Sequence, residues 1–285
     1  MKRFALLAVL LLVAGCGSLV GPKAHTLSLT YKAGDTYKYK LHTTSKQTVT
    51  TGGMSLPVEF EISARESIKV RSVDKSGTAD LELTLTDVTY KSSLGGTTNT
   101  TTTQPFTIDM QVASDGRLVS VEGNLLPTGT PIEAFSGLGG GFFVSAVLPN
   151  HPVKPGDSWT KDYDQANTMG SGGLHITSTS TYLRNESLSG VNAAVVETKS
   201  TITIDMTYTE PAASPANQVS SLSIKGTVTT DVTTWIDPDG HRVLKTHSTA
   251  ADDATMEATA PPTGQVDSTG PFTAKGSATT DLAPA

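Results

Sequence analysis

A six-residue motif occurs twice in this chain. It reads Lys32-Ala33-Gly34-Asp35-Thr36-Tyr37 in the first copy and Lys154-Pro155-Gly156-Asp157-Ser158-Trp159 in the second. Each copy is typical of a tight Gly-Asp turn followed by a strand that has an aromatic residue near its start. Long stretches rich in Thr, Val and Ile follow each copy and lead to an Asp-Gly hairpin signal, at Asp115-Gly116 in the first half and Asp239-Gly240 in the second. The chain is therefore predicted to contain two related β-rich halves.

Apolar and polar residues alternate through both halves. The pattern is clearest after residue 80, where Leu81, Leu83 and Leu85 face one way and the residues between them are Glu or Thr. Ser and Thr make up about a quarter of the chain, and β-branched Thr favours strands. We therefore expect a mainly β fold of two pseudo-repeated antiparallel halves. They form one curved sheet, closed to a partly open barrel, or two packed sheets, with a short helical linker between the halves.

The first 16 residues predict export and lipid attachment. Lys2 and Arg3 precede an apolar run over residues 4–13, which suits a signal peptide and is too short to span a bilayer. Val13-Ala14-Gly15-Cys16 then reads as a bacterial lipobox. Cys16 is the only cysteine, so the fold contains no internal disulfide, and lipidation gives this thiol a role. The sequence predicts a signal peptide over 1–15 and a lipidated tether over 16–24.

Charge limits the partners of the exported part. Removal of residues 1–15 takes away Lys2 and Arg3 and no acidic residue, which changes the formal net charge from −6 to −8. An acidic domain disfavours nucleic acid and anionic lipid headgroups as partners. We expect an extracytoplasmic protein anchored through lipidated Cys16 to the cell membrane or the outer membrane, and the choice between the two membranes stays open.

One apolar segment does not alternate. Residues 125–150 hold apolar side chains at helical spacing, interrupted by Gly139-Gly140-Gly141, which predicts two short helical pieces joining a first β half at 25–124 to a second at 151–285. This linker is either a plug in the core or the gate of an apolar cavity. The residues that form the candidate apolar ligand site are Ile132, Phe135, Leu138, Phe142, Phe143 and Val147.

Catalytic and metal-binding motifs are missing from the sequence. It has no Gly-x-Ser-x-Gly elbow, no His-Glu-x-x-His and no Walker loop. The six histidines are scattered, and the 237–240 segment (Asp-Pro-Asp-Gly) suits a hairpin turn better than a calcium loop. We therefore predict no catalytic residue, no metal site and no cofactor.

The two Gly-Asp motifs and the segment Leu148-Pro149 before the second copy resemble an uncharacterised family of bacterial exported β-rich lipoproteins. That family has no established activity, so the resemblance implies export and a β fold and supplies no catalytic residue.

Together these observations predict a non-enzymatic, membrane-anchored lipoprotein of the cell envelope. It would bind an apolar or amphiphilic ligand such as a lipid, or an envelope protein. A structural or adhesive surface module is the alternative, and a hydrolase with an unrecognised site is a third.

Overall fold

Twelve β-strands make up the described part of the chain. The computed structural model describes residues 24–94, 96–122, 146–167, 170–209, 221–259 and 271–285, and none of these residues is helical. The first half contains β1 (Thr36–Thr51), β2 (Met54–Val73), β3 (Ala79–Leu94), β4 (Thr97–Thr102), β5 (Phe106–Val112) and β6 (Leu118–Glu122). The second half contains β7 (Ser158–Ala166), β8 (Gly170–Leu188), β9 (Val191–Thr209), β10 (Ser221–Asp237), β11 (Arg242–Thr259) and β12 (Phe272–Pro284).

These strands form one antiparallel sheet that is nearly closed into a barrel. Its order is β6-β5-β3-β2-β1-β12-β11-β10-β9-β8-β7, with β4 paired to β3. The two halves join where β1 pairs with β12, from Tyr39 opposite Pro284 to Thr51 opposite Phe272. Strands β6 and β7 are the two edges of the sheet. The sheet order follows the chain except where β1 pairs with β12. The predicted mainly β, antiparallel architecture is confirmed.

Short contacts bring the edges β6 and β7 together near one end of the barrel, and this junction of the two edges is called the seam. The Arg117 guanidinium, just before β6, lies 5.5 Å from the ring centroid of Tyr163 on β7. The backbone N–H of Leu148 donates to the Asp115 carbonyl at 2.8 Å, and the Trp159 indole donates to the Val147 carbonyl at 2.7 Å. Residues 147 and 148 therefore lie between the β5–β6 turn and β7.

The helical linker predicted over 125–150 is not seen. Residues 125–145 lie outside the described residues, and residues 146–150 contain no helix. Residues 147 and 148 are not helical because their backbone groups bond elsewhere. The Leu148 amide and the Val147 carbonyl bond to the edges of the sheet rather than to neighbours along a helix.

Two short segments close the same end of the barrel. Residues 24–31 and 146–153 meet through paired backbone bonds between His25 and Val153, at 2.7 and 2.8 Å. The Leu29 amide donates to the Ser114 carbonyl at 2.8 Å. The buried side chains of Leu27 and Leu148 then fill the space between these segments and the sheet.

The two repeated turns make matching backbone hydrogen bonds. The Gly34 amide donates to the Val70 carbonyl at 2.9 Å, and the Gly156 amide donates to the Tyr182 carbonyl at 2.7 Å. In both copies the carbonyl of the following Asp accepts from the same strand residue, at 2.9 Å. Each strand residue also stands immediately before a shift in strand register. The duplication of the two halves stays a prediction, and these contacts are what it would produce.

Side chains alternate between the inside and the outside of the sheet. Outward residues are polar and form exposed cross-strand pairs such as Lys46 with Glu59 at 3.3 Å. Inward residues form three apolar clusters, one in the first half, one at the closed end and one toward the opposite end of the second half. No membrane-spanning helix occurs in the part of the chain that the structure describes.

Candidate ligand-binding cavity

The predicted site residues fall in different places. Ile132, Phe135, Leu138, Phe142 and Phe143 lie outside the described residues, and so does Cys16. The last member of the predicted apolar site, Val147, is buried at the closed end of the barrel, where its carbonyl accepts the Trp159 indole N–H.

The repeated turn motif contributes two inward aromatic residues to separate places. Trp159 is buried in the cluster at the closed end. Tyr37 packs beside Tyr31 in an edge-on contact, with ring centroids 6.2 Å apart, and lines a cavity in the first half. The glycines of the motif, Gly34 and Gly156, serve the turns through φ angles of 94° and 97°.

This cavity has a volume of about 140 Å³. It lies between the strands of the first half on one side and β11 and β12 on the other, beneath residues 29–31. Most of its wall is apolar. The apolar lining residues are Leu29, Leu41, Ile68, Leu81, Leu83, Met110, Val112, Leu118, Val243 and Leu282.

One carboxyl group stands in the apolar wall. Glu66 on β2 occupies an inward position between Ala64 and Ile68 and is only 7% exposed. Among the described residues, no hydrogen bond or ion pair involves its carboxyl group. Burial away from water raises the pKa of Glu66 to about 7, because the charged form loses hydration without gaining a partner.

Three tyrosines line the same cavity. Tyr39 on β1 stands opposite Glu66 in the strand register, but its hydroxyl donates to the Val243 carbonyl at 2.8 Å. The Tyr37 hydroxyl donates to Asp35 at 3.3 Å. Burial is the main cause that raises the pKa of Tyr31 and of Tyr39 above the usual range, so both phenols are neutral at physiological pH.

Arg242 brings a cation to the edge of the cavity. Its guanidinium Nε lies 3.4 Å from the Asp237 carboxylate, and about half of the Arg242 side chain is exposed. Asp237 also accepts the Gly240 amide at 2.8 Å, which fixes the β10–β11 turn. The cation is therefore partnered outside the cavity wall.

Hydroxyl groups fill the inward positions around the middle of the barrel. Thr43 bonds Thr280 at 3.0 Å, and Ser180 bonds Thr198 at 2.8 Å. A second inward carboxyl, Asp252, has a pKa raised to about 6, chiefly by burial. The barrel interior thus changes from an apolar cavity to a polar middle.

Metal-ligating side chains are dispersed over the described residues. They contain no group of three or more His, Cys, Asp or Glu side chains placed to hold a metal ion. Two His–Asp pairs, His175 with Asp164 and His247 with Asp281, each have a 2.8 Å contact, but they lie on the outer face of the sheet.

Sequence reasoning missed the cavity, although one signal pointed to it. The inward positions of β2 read Phe60, Ile62, Ala64, Glu66 and Ile68, so a single acid interrupts an apolar series. An ionisable residue in the buried phase of a strand marks a functional candidate, since burial of an unpaired charge is costly.

Comparison with known proteins gives no family. No protein-family model matches this sequence, and no curated protein matches it. A solved structure described as lipid–protein interactions in lipovitellin matches over 90% of this chain, with 13% identity and a TM-score of 0.46. This chain spans 26% of the length of that lipovitellin chain. A likeness of this size carries no argument about the function of the protein.

Proposed function

We propose that this protein is a non-enzymatic lipoprotein of the cell envelope that binds a small apolar or amphiphilic molecule in the cavity between its two halves. The cavity carries this proposal. Its wall consists mostly of Leu, Ile, Val and Met side chains, and Glu66, three tyrosines and a few other polar side chains stand among them. Binding pockets combine such walls with a few polar groups that orient the ligand.

Size sets the class of ligand. The cavity volume of about 140 Å³ is close to that of an engineered apolar cavity of about 150 Å³ that binds benzene. An aromatic ring or a short alkyl chain fits it. A longer amphiphile would place one end inside and the rest outside.

The anchor would act at the closed end of the barrel. Residue 24, where the described chain begins, lies next to the backbone pair of His25 and Val153. Seven residues lie between Cys16 and Ala24, and the eight residue steps that join them span at most about 28 Å. A lipidated Cys16 would therefore hold the closed end close to the membrane. The resemblance of the two turn motifs to exported bacterial lipoproteins supports the same localisation.

The anchor is tested by expressing the full chain in a bacterium supplied with labelled palmitate. We expect label in the wild-type protein and recovery in the membrane fraction. Cys16→Ser should carry no label and leave the membrane fraction, whereas Ser18→Ala should behave like the wild type. A labelled Cys16→Ser variant would contradict lipidation at this thiol.

Ligand binding is tested with toluene by calorimetry on the folded protein. Leu118 borders the cavity from β6, whereas its neighbour Val119 is exposed, so Leu118→Trp fills the cavity and Val119→Trp does not. We expect toluene to bind the wild type and Val119→Trp with similar affinity and to bind Leu118→Trp at least tenfold more weakly. Equal binding to both variants, or no binding to the wild type, would contradict the proposal.

A structural or adhesive role at the cell surface is the second candidate. One observation favours it, because Met54, Leu56 and Leu94 are exposed at the end of the first half opposite the closed end. Exposed apolar side chains that lie together mark interaction sites. If replacement of all three by Ser abolished attachment of cells to a surface while toluene binding persisted, the adhesive role would be supported.

A further inference from the structure

Among the described residues, Glu66 is the acid that stands in the cavity wall, and its surroundings indicate the charge of the ligand. This inference rests on the proposed function, since it concerns the same cavity. Glu66 lines the cavity and is 7% exposed, and its carboxyl group forms no hydrogen bond or ion pair with another described residue. A buried carboxylate without a partner destabilises the protein until a donor or a cation reaches it.

Within the described part of the chain, no charged side chain supplies that cation. On the elements that enclose the cavity, the titratable or charged residues besides Glu66 are Tyr31 in the closing segment, Tyr37 and Tyr39 on β1, and Arg242 at the start of β11. The guanidinium is paired with Asp237. The contributions of β3, β5 and β6 are apolar, and β12 adds Thr280 and Leu282.

The tyrosines make the cavity suitable for a positive charge. Aromatic faces attract cations, and cages of aromatic side chains recognise organic ammonium groups. Here Tyr31 and Tyr37 are packed edge to face, and Tyr39 is fixed by its hydrogen bond to the Val243 carbonyl. The three rings and one carboxylate therefore line the same small space.

We propose that the cavity selects an organic ammonium ion, with the ammonium group beside Glu66 and the tyrosine rings and the apolar part against Leu83, Met110 and Leu282. The ammonium N–H groups would donate to the Glu66 carboxylate and remove its lack of partners. The apolar part would occupy the volume that the surrounding aliphatic side chains leave open. A neutral ligand of the same shape would fill the volume but leave the carboxylate unpaired.

The raised pKa of Glu66 makes the binding depend on pH. With a pKa of about 7, the ionised fraction falls from nearly complete at about pH 8.5 to roughly 1 in 30 at about pH 5.5. Because an ammonium ion binds the ionised form, its apparent affinity should fall about 30-fold over this range. The phenols of Tyr31, Tyr37 and Tyr39 stay neutral throughout, since burial raises the pKa of each.

Three probes of similar shape separate this inference from the proposed function. We would titrate the wild type, Glu66→Gln and the exposed control Glu59→Gln with benzylamine, benzyl alcohol and toluene at about pH 8.5 and about pH 5.5. We expect benzylamine to bind the wild type and Glu59→Gln at least tenfold more tightly than benzyl alcohol at the higher pH. The preference should disappear in Glu66→Gln and at the lower pH, whereas toluene should bind the wild type and Glu59→Gln with equal affinity.

Each outcome decides the ammonium inference, the proposed cavity function, or both. Equal affinities of benzylamine and benzyl alcohol for the wild type, with toluene bound, would overturn the ammonium inference and leave the cavity function standing. Failure of all three probes to bind would overturn both. The wild-type pH profile decides the inference even if Glu66→Gln fails to fold, because a benzylamine affinity that is independent of pH contradicts it.

Discussion

Tyr39 and Glu66 stand opposite each other on neighbouring strands, yet their side chains form no hydrogen bond with each other. The two residues are directly paired in the register of β1 and β2, and both are buried. The Tyr39 hydroxyl instead donates a hydrogen bond to the Val243 carbonyl on β11, at 2.8 Å. This hydrogen bond joins the two halves across the cavity, and no side chain that the structure describes donates to the Glu66 carboxyl.

Replacement of Glu66 by Gln should stabilise the protein at neutral and alkaline pH. The pKa of this carboxyl is raised from 4.5 to about 7 in the folded state, so the folded protein binds more protons than the unfolded chain between these values. Stability therefore falls as pH rises through this window, by roughly 3 kcal/mol in total. Urea unfolding at several pH values measures it. From about pH 4 to about pH 8, the stability difference between Glu66→Gln and the wild type should grow by about 3 kcal/mol.

The exposed Glu59→Gln variant is the control for this experiment, because it keeps Glu66 and should follow the pH dependence of the wild type. A constant difference between Glu66→Gln and the wild type at all pH values would show that the carboxyl is not desolvated.

Alanine at either repeated glycine should destabilise the fold by a similar amount. Gly34 and Gly156 have φ angles of 94° and 97°, and a Cβ atom at either position would meet nothing within 4 Å. The cost then comes from backbone strain alone and amounts to about 1–2 kcal/mol in each variant. Thermal or urea unfolding compares them with Lys32→Ala and Lys154→Ala in the same turns, which should change stability by less than about 0.5 kcal/mol. A large difference between the two glycine variants would argue against equivalent turns.

Trp159→Phe should weaken the seam. The indole N–H donates to the buried Val147 carbonyl at 2.7 Å. Phenylalanine keeps an aromatic ring but removes this donor, and among the described side chains the carbonyl then keeps a long contact from Ser180 at 3.4 Å. We expect a loss of about 1–2 kcal/mol in the free energy of unfolding. Tyr163→Phe on the same strand is the matched control, since it keeps a ring beside Arg117 and should cost less. Equal losses would assign no special role to the indole hydrogen bond.

The segment 146–153 should contribute to stability as part of the core. Leu148 is 1% exposed in the closed end of the barrel, so Leu148→Ala removes fully buried surface and leaves a cavity. A loss of about 2–5 kcal/mol is expected in urea unfolding. Leu56→Ala, at a residue that is 42% exposed, should cost less than about 1 kcal/mol. A small effect of Leu148→Ala would mean that this segment is not needed to close the barrel.

The strands and turns could be predicted from the sequence because their signals are local. Alternation at Leu81, Leu83 and Leu85 shows directly which side of β3 is buried. The Gly-Asp motifs mark turns because glycine accepts the positive φ angles that those turns require. Each of these features depends on residues a few positions apart.

The cavity could not be predicted in the same way, because distant parts of the chain enclose it. Leu29 precedes β1, Met110 lies on β5 and Leu282 lies near the C-terminus, and only the closure of β1 on β12 brings them together. The prediction instead placed the ligand site in the apolar linker, whose described member Val147 bonds to Trp159. Helical spacing of apolar residues could not reveal that backbone groups near residue 147 would bond to the sheet edges.

The central claim is that an apolar space inside the barrel receives a ligand, and a crystal of the wild-type protein equilibrated with xenon tests it most directly. Xenon binds in apolar cavities of this size. The account predicts an anomalous xenon peak in contact with Leu41, Leu83 and Met110, and its loss in Leu118→Trp but not in Val119→Trp. Side chains packed against each other at this place, with no xenon among them, would contradict the account.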